Sequence, residues 1–279
     1  MTGEPGRHRL GRLPGGLTLR ALVPNAITVS ALCVGLTSIR FAIEGASIVD
    51  PVVAEPVWKL CVAAVILAGM LDGIDGRIAR LLKAQSRFGA ELDSLADSIS
   101  FGVAPALILY LWSLQHLPRL GWFAALAFAI CCVLRLARFN ARIDMADEPR
   151  KAAGFLTGVP APVGAGLSFL PMYLWIASGN DLFRDPRLVG AWVVLMAFLL
   201  ISSLPTLSWA KLRPRRSVRL EVLALVGLAV AALFSEPWLT LVGISVLYLI
   251  LIPVGVIAYA RFKRRRAGRT AEPDGGGPR

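Results

Sequence analysis

Apolar residues in this chain occur in long runs separated by short polar segments. A helix that crosses a bilayer needs roughly 20 mostly apolar residues. Eight stretches meet or approach this length: 24–43, 57–76, 91–112, 121–139, 159–177, 188–208, 219–234 and 238–260. The seventh is the weakest, because it is short and carries Glu221 near its start. The pattern predicts an all-α polytopic membrane protein with about eight transmembrane helices.

The basic residues are divided unequally between the two ends of these predicted helices. With eight spans, both chain termini and the even-numbered loops share one side of the membrane. That side and its adjoining helix ends hold 25 of the 30 Lys and Arg residues; the rest are Arg40, Lys59, Arg119, Arg184 and Arg187. The positive-inside rule therefore predicts both termini in the cytoplasm. The net charge of +12 follows this topology, which predicts contact with anionic membrane lipids and not with nucleic acid.

The composition agrees with one membrane domain between two short polar ends. Hydrophobic residues make up 56% of the chain, charged residues 17%, and the mean hydropathy is +0.65, which is too apolar for an ordinary soluble domain. We expect the transmembrane domain at 24–260. Residues 1–23 are predicted to be a cytoplasmic segment in which 15–23 form an interfacial helix before Pro24 begins the first span. Residues 261–279 are predicted to be a basic, disordered cytoplasmic tail.

Four aspartates lie where the second predicted span ends and the third begins. Asp72 and Asp75 are i,i+3 neighbours, and Asp93 and Asp97 are i,i+4 neighbours, so each pair shares a helix face. A short turn near 81–88 lets the two helices pack antiparallel, which brings the four carboxylates together near the cytoplasmic face. Burying them is costly unless divalent cations neutralise their charge. Carboxylate oxygens suit Mg²⁺ or Mn²⁺, and a pair of such ions suits displacement at phosphorus.

Small residues continue along the second helix beside the aspartates. Gly73, Gly76 and Ala79 would leave a groove in which a bulky ligand approaches the backbone. Arg80 follows and is placed to meet a phosphate. Glycines that pack helices together and an arginine that anchors a span are the alternative interpretation. That alternative leaves the four spaced aspartates unexplained.

The complete pattern is Asp72-x-x-Asp75-Gly76-x-x-Ala79-Arg80, eight residues, then Gly89-x-x-x-Asp93-x-x-x-Asp97. It resembles the signature of the CDP-alcohol phosphatidyltransferase family at every specified position. Eight specified residues would match by chance at a given start far less than about once in a million.

The resemblance implies a six-helix core, to which this chain adds two C-terminal helices. It implies two metal ions held by Asp72, Asp75, Asp93 and Asp97, with Asp97 also acting as general base on the acceptor hydroxyl. The nucleotide is expected along the Gly–Ala–Arg face. The residues expected to bind CDP-diacylglycerol are Asn25, Thr28, Asp72, Gly73, Gly76, Ala79, Arg80 and Gly89.

Two further segments concern the acceptor alcohol. RLARFN, at 135–140, and FLTGVPAP, at 155–162, resemble the bacterial and archaeal subfamily that uses L-serine, although Val159 replaces the usual Leu. The serine carboxylate needs a cation, which Arg135 or Arg138 could supply, and Asn140 offers a polar partner. Arginines at this end of a span are also expected from topology alone.

The sequence thus predicts transfer of the phosphatidyl group from CDP-diacylglycerol to the hydroxyl of L-serine, with release of CMP, in phospholipid synthesis. The site would face the cytoplasm from the cytoplasmic membrane. Glycerol 3-phosphate or inositol phosphate are alternative acceptors, although their phosphates would favour a denser cationic pocket. An ion or metal transporter is the remote alternative, since transporter sites lie near the midplane. The oligomeric state stays open, with a homodimer as one option.

Overall fold

The computed structural model describes residues 19–143, 155–202, 205–207 and 219–270. Most of the predicted N-terminal segment and the last nine residues of the predicted tail lie outside the described residues. Within them, the chain is helical except for two three-residue strands and short connections. The prediction of an all-α polytopic membrane fold is confirmed.

The first two helices form a long antiparallel pair. Helix α1 is Leu19–Ser47 and helix α2 is Pro51–Leu81. Asp50 caps α2 by accepting a hydrogen bond of 2.9 Å from the Val52 N–H, and a proline at the first helical position removes a donor that would lack a partner there. Helix α1 continues through Pro24, where the sequence predicted a boundary. The proline removes only the hydrogen bond to the carbonyl of residue 20, so the helix tolerates it.

The third span changes its helical geometry along its length. Helix α3, Arg87–Asp97, is followed by a π-helical turn, Ser98–Val103, and by α4, Ala104–Trp112. The Ala104 N–H donates to the Ile99 carbonyl, five residues back. A π-helical turn inside a helix often marks a functional site. Here it begins directly after Asp97.

Helices α5 to α8 complete the core. Helix α5 is Leu120–Ile143, α6 is Ala161–Ser168, α7 is Leu170–Ser178 and α8 is Pro186–Ile201. Helix α8 packs against both α5 and α6. The fifth predicted span, 159–177, forms two helices, α6 and α7, which are divided at Phe169. The division arises because a proline in the first turn of α7 cannot donate a hydrogen bond to the preceding turn.

Two C-terminal helices follow a short strand pair. Strand β1, Phe155–Thr157, pairs antiparallel with strand β2, Pro205–Leu207. Helix α9 is Arg219–Ser235 and α10 is Pro237–Thr270; α9 packs on α10, which packs on α7 and β2. The prediction of disorder from 261 is wrong as far as Thr270. Lys, Arg and Ala, which are frequent in this part of the sequence, favour helix.

Six helical segments in the described part of the chain are long and apolar enough to cross a membrane. They are Arg20–Ser47, Pro51–Leu81, Arg87–Trp112, Leu120–Ala141, Ala161–Ser178 and Pro237–Ile257. Pro186–Ile201 and Leu223–Ser235 are shorter apolar helices. These eight segments correspond to the eight predicted stretches. The buried core between them includes Trp58, Trp112, Phe128 and Phe169.

Candidate active site

Three aspartates converge between α2 and α3. Asp72, Asp75 and Asp93 each offer a carboxylate oxygen, and these oxygens lie within 4.8 Å of one another. The turn at 82–86 reverses the chain, so the last turns of α2 face the first turns of α3. Three carboxylates this close repel one another in the absence of cations. The group could hold a metal ion, and hard oxygen ligands of this kind suit a divalent cation.

Asp97 lies one helical turn beyond Asp93 and stands slightly apart from the converging group. It interacts electrostatically with all three of the other aspartates. The structure therefore brings the four predicted aspartates into one cluster. Within that cluster, it separates three convergent oxygen donors from a fourth carboxyl group beside them.

The buried member of the cluster is held by α1. Asp75 is only 3% exposed, and the Thr28 hydroxyl donates a hydrogen bond to its Oδ2. Thr28 is itself 5% exposed. Hydrogen bonds of this type fix the orientation of a carboxylate and leave its other oxygen free to bind a cation.

A cavity of about 410 Å³ opens beside the aspartates. Its lining residues come from α1, α2, α3 and the turn between α2 and α3. They are Pro24, Asn25, Thr28, Asp75, Gly76, Ala79, Arg80, Ala84, Gln85, Ser86, Gly89, Ala90 and Asp93. Six of the eight residues predicted to bind CDP-diacylglycerol line this cavity, whereas Asp72 and Gly73 do not.

The glycines of the signature differ in their surroundings. At Gly73 and Gly76 an added Cβ would meet nothing within 4 Å, so neither glycine serves helix packing within the described residues. At Gly89 a Cβ would lie 2.9 Å from Asn25 Oδ1 and 3.1 Å from Ser86 Oγ. Gly76 therefore leaves open space on the cavity side of α2, whereas Gly89 permits the close approach of α1 to α3.

Arg80 extends from α2 at the rim of the cavity. Its Nε donates a hydrogen bond of 3.0 Å to the Gly76 carbonyl, one turn back on the same helix. The side chain is exposed, and its two terminal nitrogens make no hydrogen bond with the described residues. These nitrogens remain available for a phosphate group.

The polar residues of RLARFN have three different environments. The Asn140 amide donates a hydrogen bond of 2.7 Å to Ser94 Oγ, next to Asp93 on α3. Arg138 donates to two carbonyls at the end of α8, to Ile201 at 3.0 Å and to Ser202 at 3.2 Å. Arg135 has no hydrogen bond or ion pair with the described residues, and its Nε is fully buried. It interacts electrostatically with Asp97.

The two segments predicted to concern the acceptor meet at the end of α8. Gly158, in the second segment, has a φ of 77°, in the left-handed region that favours glycine. A Cβ at this position would lie 2.8 Å from the Ser202 carbonyl oxygen and 3.6 Å from Arg138 Nη2. The glycine thus permits the chain to pass close to the carbonyl that Arg138 binds.

Several contacts were not anticipated from the sequence. Gln85 and Ser86 line the cavity, and Ser86 Oγ caps α3 by accepting from the Gly89 N–H at 3.0 Å. A serine immediately before a helix is a recognisable capping signal. The bond between Asn140 and Ser94 has no comparable signal, because the two residues are 46 positions apart.

Comparison with known proteins identifies the family. The sequence model described as CDP-alcohol phosphatidyltransferase matches residues 21–203, and a second, CDP-alcohol phosphatidyltransferase 2, matches residues 218–253. The chain belongs to the CDP-alcohol phosphatidyltransferase family, as the signature predicted. It is a transferase that resides in the membrane.

Curated relatives from several bacteria cover most of the chain. A protein of Mycobacterium tuberculosis is 38% identical over 92% of this chain and 83% of its own length. A Mycobacterium leprae protein is 37% identical over 84% of this chain and 74% of its own length. A Helicobacter pylori protein is 35% identical over 82% of this chain and 88% of its own length. All three are named CDP-diacylglycerol–serine O-phosphatidyltransferase.

Proposed function

We propose that this protein transfers the phosphatidyl group of CDP-diacylglycerol to the hydroxyl of L-serine, producing phosphatidylserine and CMP. The observation that carries the proposal is the convergence of Asp72, Asp75 and Asp93 beside a cavity, with Asp97 next to them. The names of the relatives support serine as the acceptor.

The aspartates fit a divalent metal centre. In our proposal Asp72, Asp75, Asp93 and Asp97 hold two ions, Mg²⁺ or Mn²⁺. When bound, such ions neutralise the charge that develops on the phosphoryl oxygens. Thr28 fixes the orientation of the Asp75 carboxylate through its hydrogen bond.

The cavity between α1, α2 and α3 is proposed to bind the nucleotide of CDP-diacylglycerol. Gly73 and Gly76 have no side chain, so a ligand can approach the backbone of α2 there. The small side chain of Ala79 leaves room for the ligand along the next turn. Arg80 at the rim can donate hydrogen bonds to a phosphate. Asn25 and Thr28 form the opposite wall.

The chemical step is an in-line displacement at phosphorus. Asp97 accepts the proton of the serine hydroxyl as general base. The serine oxygen forms a bond to the phosphorus that carries diacylglycerol, and the bond from that phosphorus to the oxygen bridging to CMP breaks. CMP leaves with the bridging oxygen, and the proton remains on Asp97 until solvent removes it.

The serine itself is proposed to bind between Asp97 and the end of α5. The Arg135 guanidinium is half-buried and makes no ion pair with the described residues, although it interacts electrostatically with Asp97. A partly buried charge of this kind is stabilised by an anion, which the serine carboxylate supplies. The Asn140 amide nitrogen is engaged with Ser94, so its oxygen is the atom left to accept from the serine ammonium group. Arg138 contributes positive charge while it holds the end of α8.

We also propose that the site faces the cytoplasm from the cytoplasmic membrane. The end of α2, the start of α3 and the start of α1 meet at the cavity, and the end of α5 reaches Ser94. These helix ends belong to the side that carries 25 of the 30 Lys and Arg residues in the predicted topology.

One experiment tests the acceptor directly. Purified protein with CDP-diacylglycerol and Mg²⁺ or Mn²⁺ is offered serine, glycerol 3-phosphate or inositol phosphate separately, and CMP release is measured. We expect release that depends on serine. Turnover with either phosphorylated alcohol and none with serine would refute the proposal.

A further inference from the structure

The half-buried side chains of Ser94 and Asn140 join helix α3 to the end of helix α5. The Asn140 amide donates a hydrogen bond of 2.7 Å to Ser94 Oγ, and the Ser94 hydroxyl donates to the Ala90 carbonyl oxygen at 3.1 Å, one turn back on α3. A carbonyl oxygen can only accept, so the hydroxyl hydrogen of Ser94 is used in this second bond. Ser94 Oγ is therefore the acceptor toward Asn140.

This arrangement fixes which way the Asn140 amide faces. An amide side chain carries donors on its nitrogen and an acceptor on its oxygen, and rotation about its last bond exchanges the two. A hydroxyl oxygen that has already donated its hydrogen selects the NH₂ group of the amide as its partner. With this group on Ser94, the amide oxygen of Asn140 faces away from Ser94 and offers an acceptor to a cationic ligand.

Ser94 also stands beside the proposed general base. Ser94 and Asp97 are i,i+3 neighbours on α3, which places their Cβ atoms about 5–6 Å apart on one surface of the helix. The hydrogen bond to Ser94 therefore holds Asn140 close to the carboxyl group that is proposed to receive the proton of the acceptor hydroxyl. In L-serine the hydroxyl and the ammonium group are attached to adjacent carbon atoms, so the protein groups that bind them must also be neighbours.

Other contacts hold α5 in place independently of this hydrogen bond. The Arg138 guanidinium donates to two carbonyls at the end of α8. Farther into the bundle, α5 packs on the π-helical turn, where a Cβ at Gly102 would lie 3.4 Å from Cys132 Cβ. Because α5 is anchored on both sides of the site, the distinctive effect of the bond to Ser94 is the orientation of the Asn140 amide.

We infer that Ser94 is a positioning residue that sets specificity for an amino-acid acceptor, because it turns the Asn140 amide so that the amide oxygen accepts from the ammonium group of the alcohol. An acceptor that carries a phosphate in place of the ammonium group would meet the negative end of the amide dipole and be disfavoured. This inference rests on the proposed function, in which the acceptor is L-serine. Ser94 occupies a position that the family signature leaves unspecified, between Asp93 and Asp97.

The test is the substitution Ser94→Ala, which removes the hydroxyl and introduces a residue that favours helix. We expect KM for serine to rise about tenfold, as for the loss of one hydrogen bond to a charged group. The kcat should stay within about twofold, and KM for CDP-diacylglycerol should not change. Ser94→Thr keeps a hydroxyl that can make the same two bonds, and its KM for serine should stay within about twofold of the wild-type value.

Two controls separate recognition of the ammonium group from a structural effect. Ser47→Ala removes a hydroxyl that donates to the Ile43 carbonyl at 2.8 Å, at the other end of α1, and should keep wild-type kinetics. The compound 3-hydroxypropionate has the hydroxyl and the carboxylate of serine but no amino group. It should inhibit CMP release equally in the wild type and in Ser94→Ala. Weaker inhibition of Ser94→Ala would overturn the inference, because the lost interaction would not be with the ammonium group.

A double-mutant cycle with Asn140→Ala tests whether Ser94 acts through Asn140. If it does, adding Ser94→Ala to Asn140→Ala should raise KM for serine by less than about twofold further. Full additivity of the two effects would overturn the inference. So would a wild-type KM for serine in Ser94→Ala, or equal increases in KM for both substrates.

The wild-type assay keeps this result distinct from the proposed function. Absence of serine-dependent CMP release in the wild-type protein would refute the proposed function. Serine turnover in the wild type, with an unchanged KM in Ser94→Ala, would refute the positioning role alone.

Discussion

The Thr28 hydroxyl donates a hydrogen bond to the buried Asp75 carboxylate, which ties the first helix to the second at the aspartate cluster. Asp75 has no ion pair among the described residues, so this hydrogen bond and the neighbouring carboxylates define its surroundings. The cavity proposed to bind the nucleotide lies directly beside this bond. The position of α1 and the geometry of the cluster are therefore linked.

Removal of this hydroxyl should weaken metal binding. Thr28→Val keeps the shape of the side chain, and we expect the Mg²⁺ or Mn²⁺ concentration for half-maximal CMP release to rise about 10- to 100-fold. Thr28→Ser should restore most of the affinity. Thr37→Val is the control, because the Thr37 hydroxyl donates only to the Cys33 carbonyl of its own helix. An unchanged metal dependence in Thr28→Val would show that the bond has no role in the metal centre.

The role of Asp97 as general base should be separable by mutation from the metal-binding role of the aspartates. Asp97→Asn keeps the shape and one oxygen but cannot accept a proton at neutral pH. Turnover should fall by at least the 10²–10⁴-fold typical of a lost general base, while CDP-diacylglycerol binding in the presence of Mg²⁺ or Mn²⁺ is largely retained. Asp72→Asn should weaken metal binding as well as turnover. Near-wild-type turnover in Asp97→Asn would exclude it as the base. Loss of lipid binding equal to that of Asp72→Asn would show that its role is mainly structural or metal-holding and that the proton leaves by another route.

The open face of α2 offers a test of the nucleotide site. At Gly76 a new side chain meets no protein atom within 4 Å of its Cβ, and this glycine lines the cavity. Gly76→Leu should leave the thermal unfolding temperature unchanged or higher, since Leu favours helix over Gly by about 0.5–1 kcal/mol. Affinity for CDP-diacylglycerol should fall at least tenfold. Gly227→Leu on α9, also in open space, should likewise leave the unfolding temperature unchanged or higher, and it should not change the affinity for CDP-diacylglycerol. Wild-type affinity in Gly76→Leu would place the nucleotide elsewhere.

The proposed orientation predicts which residues are accessible from outside the cell. Tags at both termini should be protected from impermeant reagents in intact cells, and Asp181→Cys, in the connection after α7, should be labelled from outside. Asp181 is exposed, which favours reaction. External labelling at either terminus would mean that the number of spans is wrong.

A cluster at the opposite end of the bundle should contribute stability without affecting catalysis. The Arg184 guanidinium lies 6.0 Å from the Trp112 ring centroid and 5.6 Å from that of Trp175, and its Nε donates to the Trp112 carbonyl at 3.1 Å. Burial lowers the pKa of Arg184, but arginine starts so high that it stays charged at neutral pH. Arg184→Met should destabilise the protein by about 1–2 kcal/mol, measured as a lower thermal unfolding temperature in detergent. The KM for serine should not change, and a large change in it would contradict a purely structural role.

The sequence by itself determined the class of this protein. Runs of about 20 apolar residues leave a transmembrane helix as the physical solution, because backbone groups in lipid must be satisfied within the segment. Helical periodicity then places Asp72 with Asp75, and Asp93 with Asp97, on single faces of consecutive helices. The family follows from the same spacing. These inferences depend only on the spacing of residues that are close together in the chain, and this spacing can be read directly from the sequence.

The different contacts of the polar residues in RLARFN were decided only by the tertiary structure. Arg135, Arg138 and Asn140 share one end of α5, so the sequence made them equal candidates for binding serine. In the fold, the partners of Arg138 are carbonyls at the end of α8, and the partner of Asn140 is Ser94 on α3. Those groups are 46 to 64 residues distant along the chain, and no periodicity relates them. Arg135 is left without a partner among the described residues because no acceptor from another helix reaches it.

The positions at which several helices begin and end were also decided by the three-dimensional structure. Helix α10 runs on to Thr270, beyond the apolar stretch that the sequence marked as its end. A hydropathy pattern locates the part of a helix inside the lipid, whereas the helix ends where its hydrogen bonds and packing end. The same distinction explains why α1 starts before Pro24, and why the fifth span is divided at Phe169 although its hydropathy is continuous.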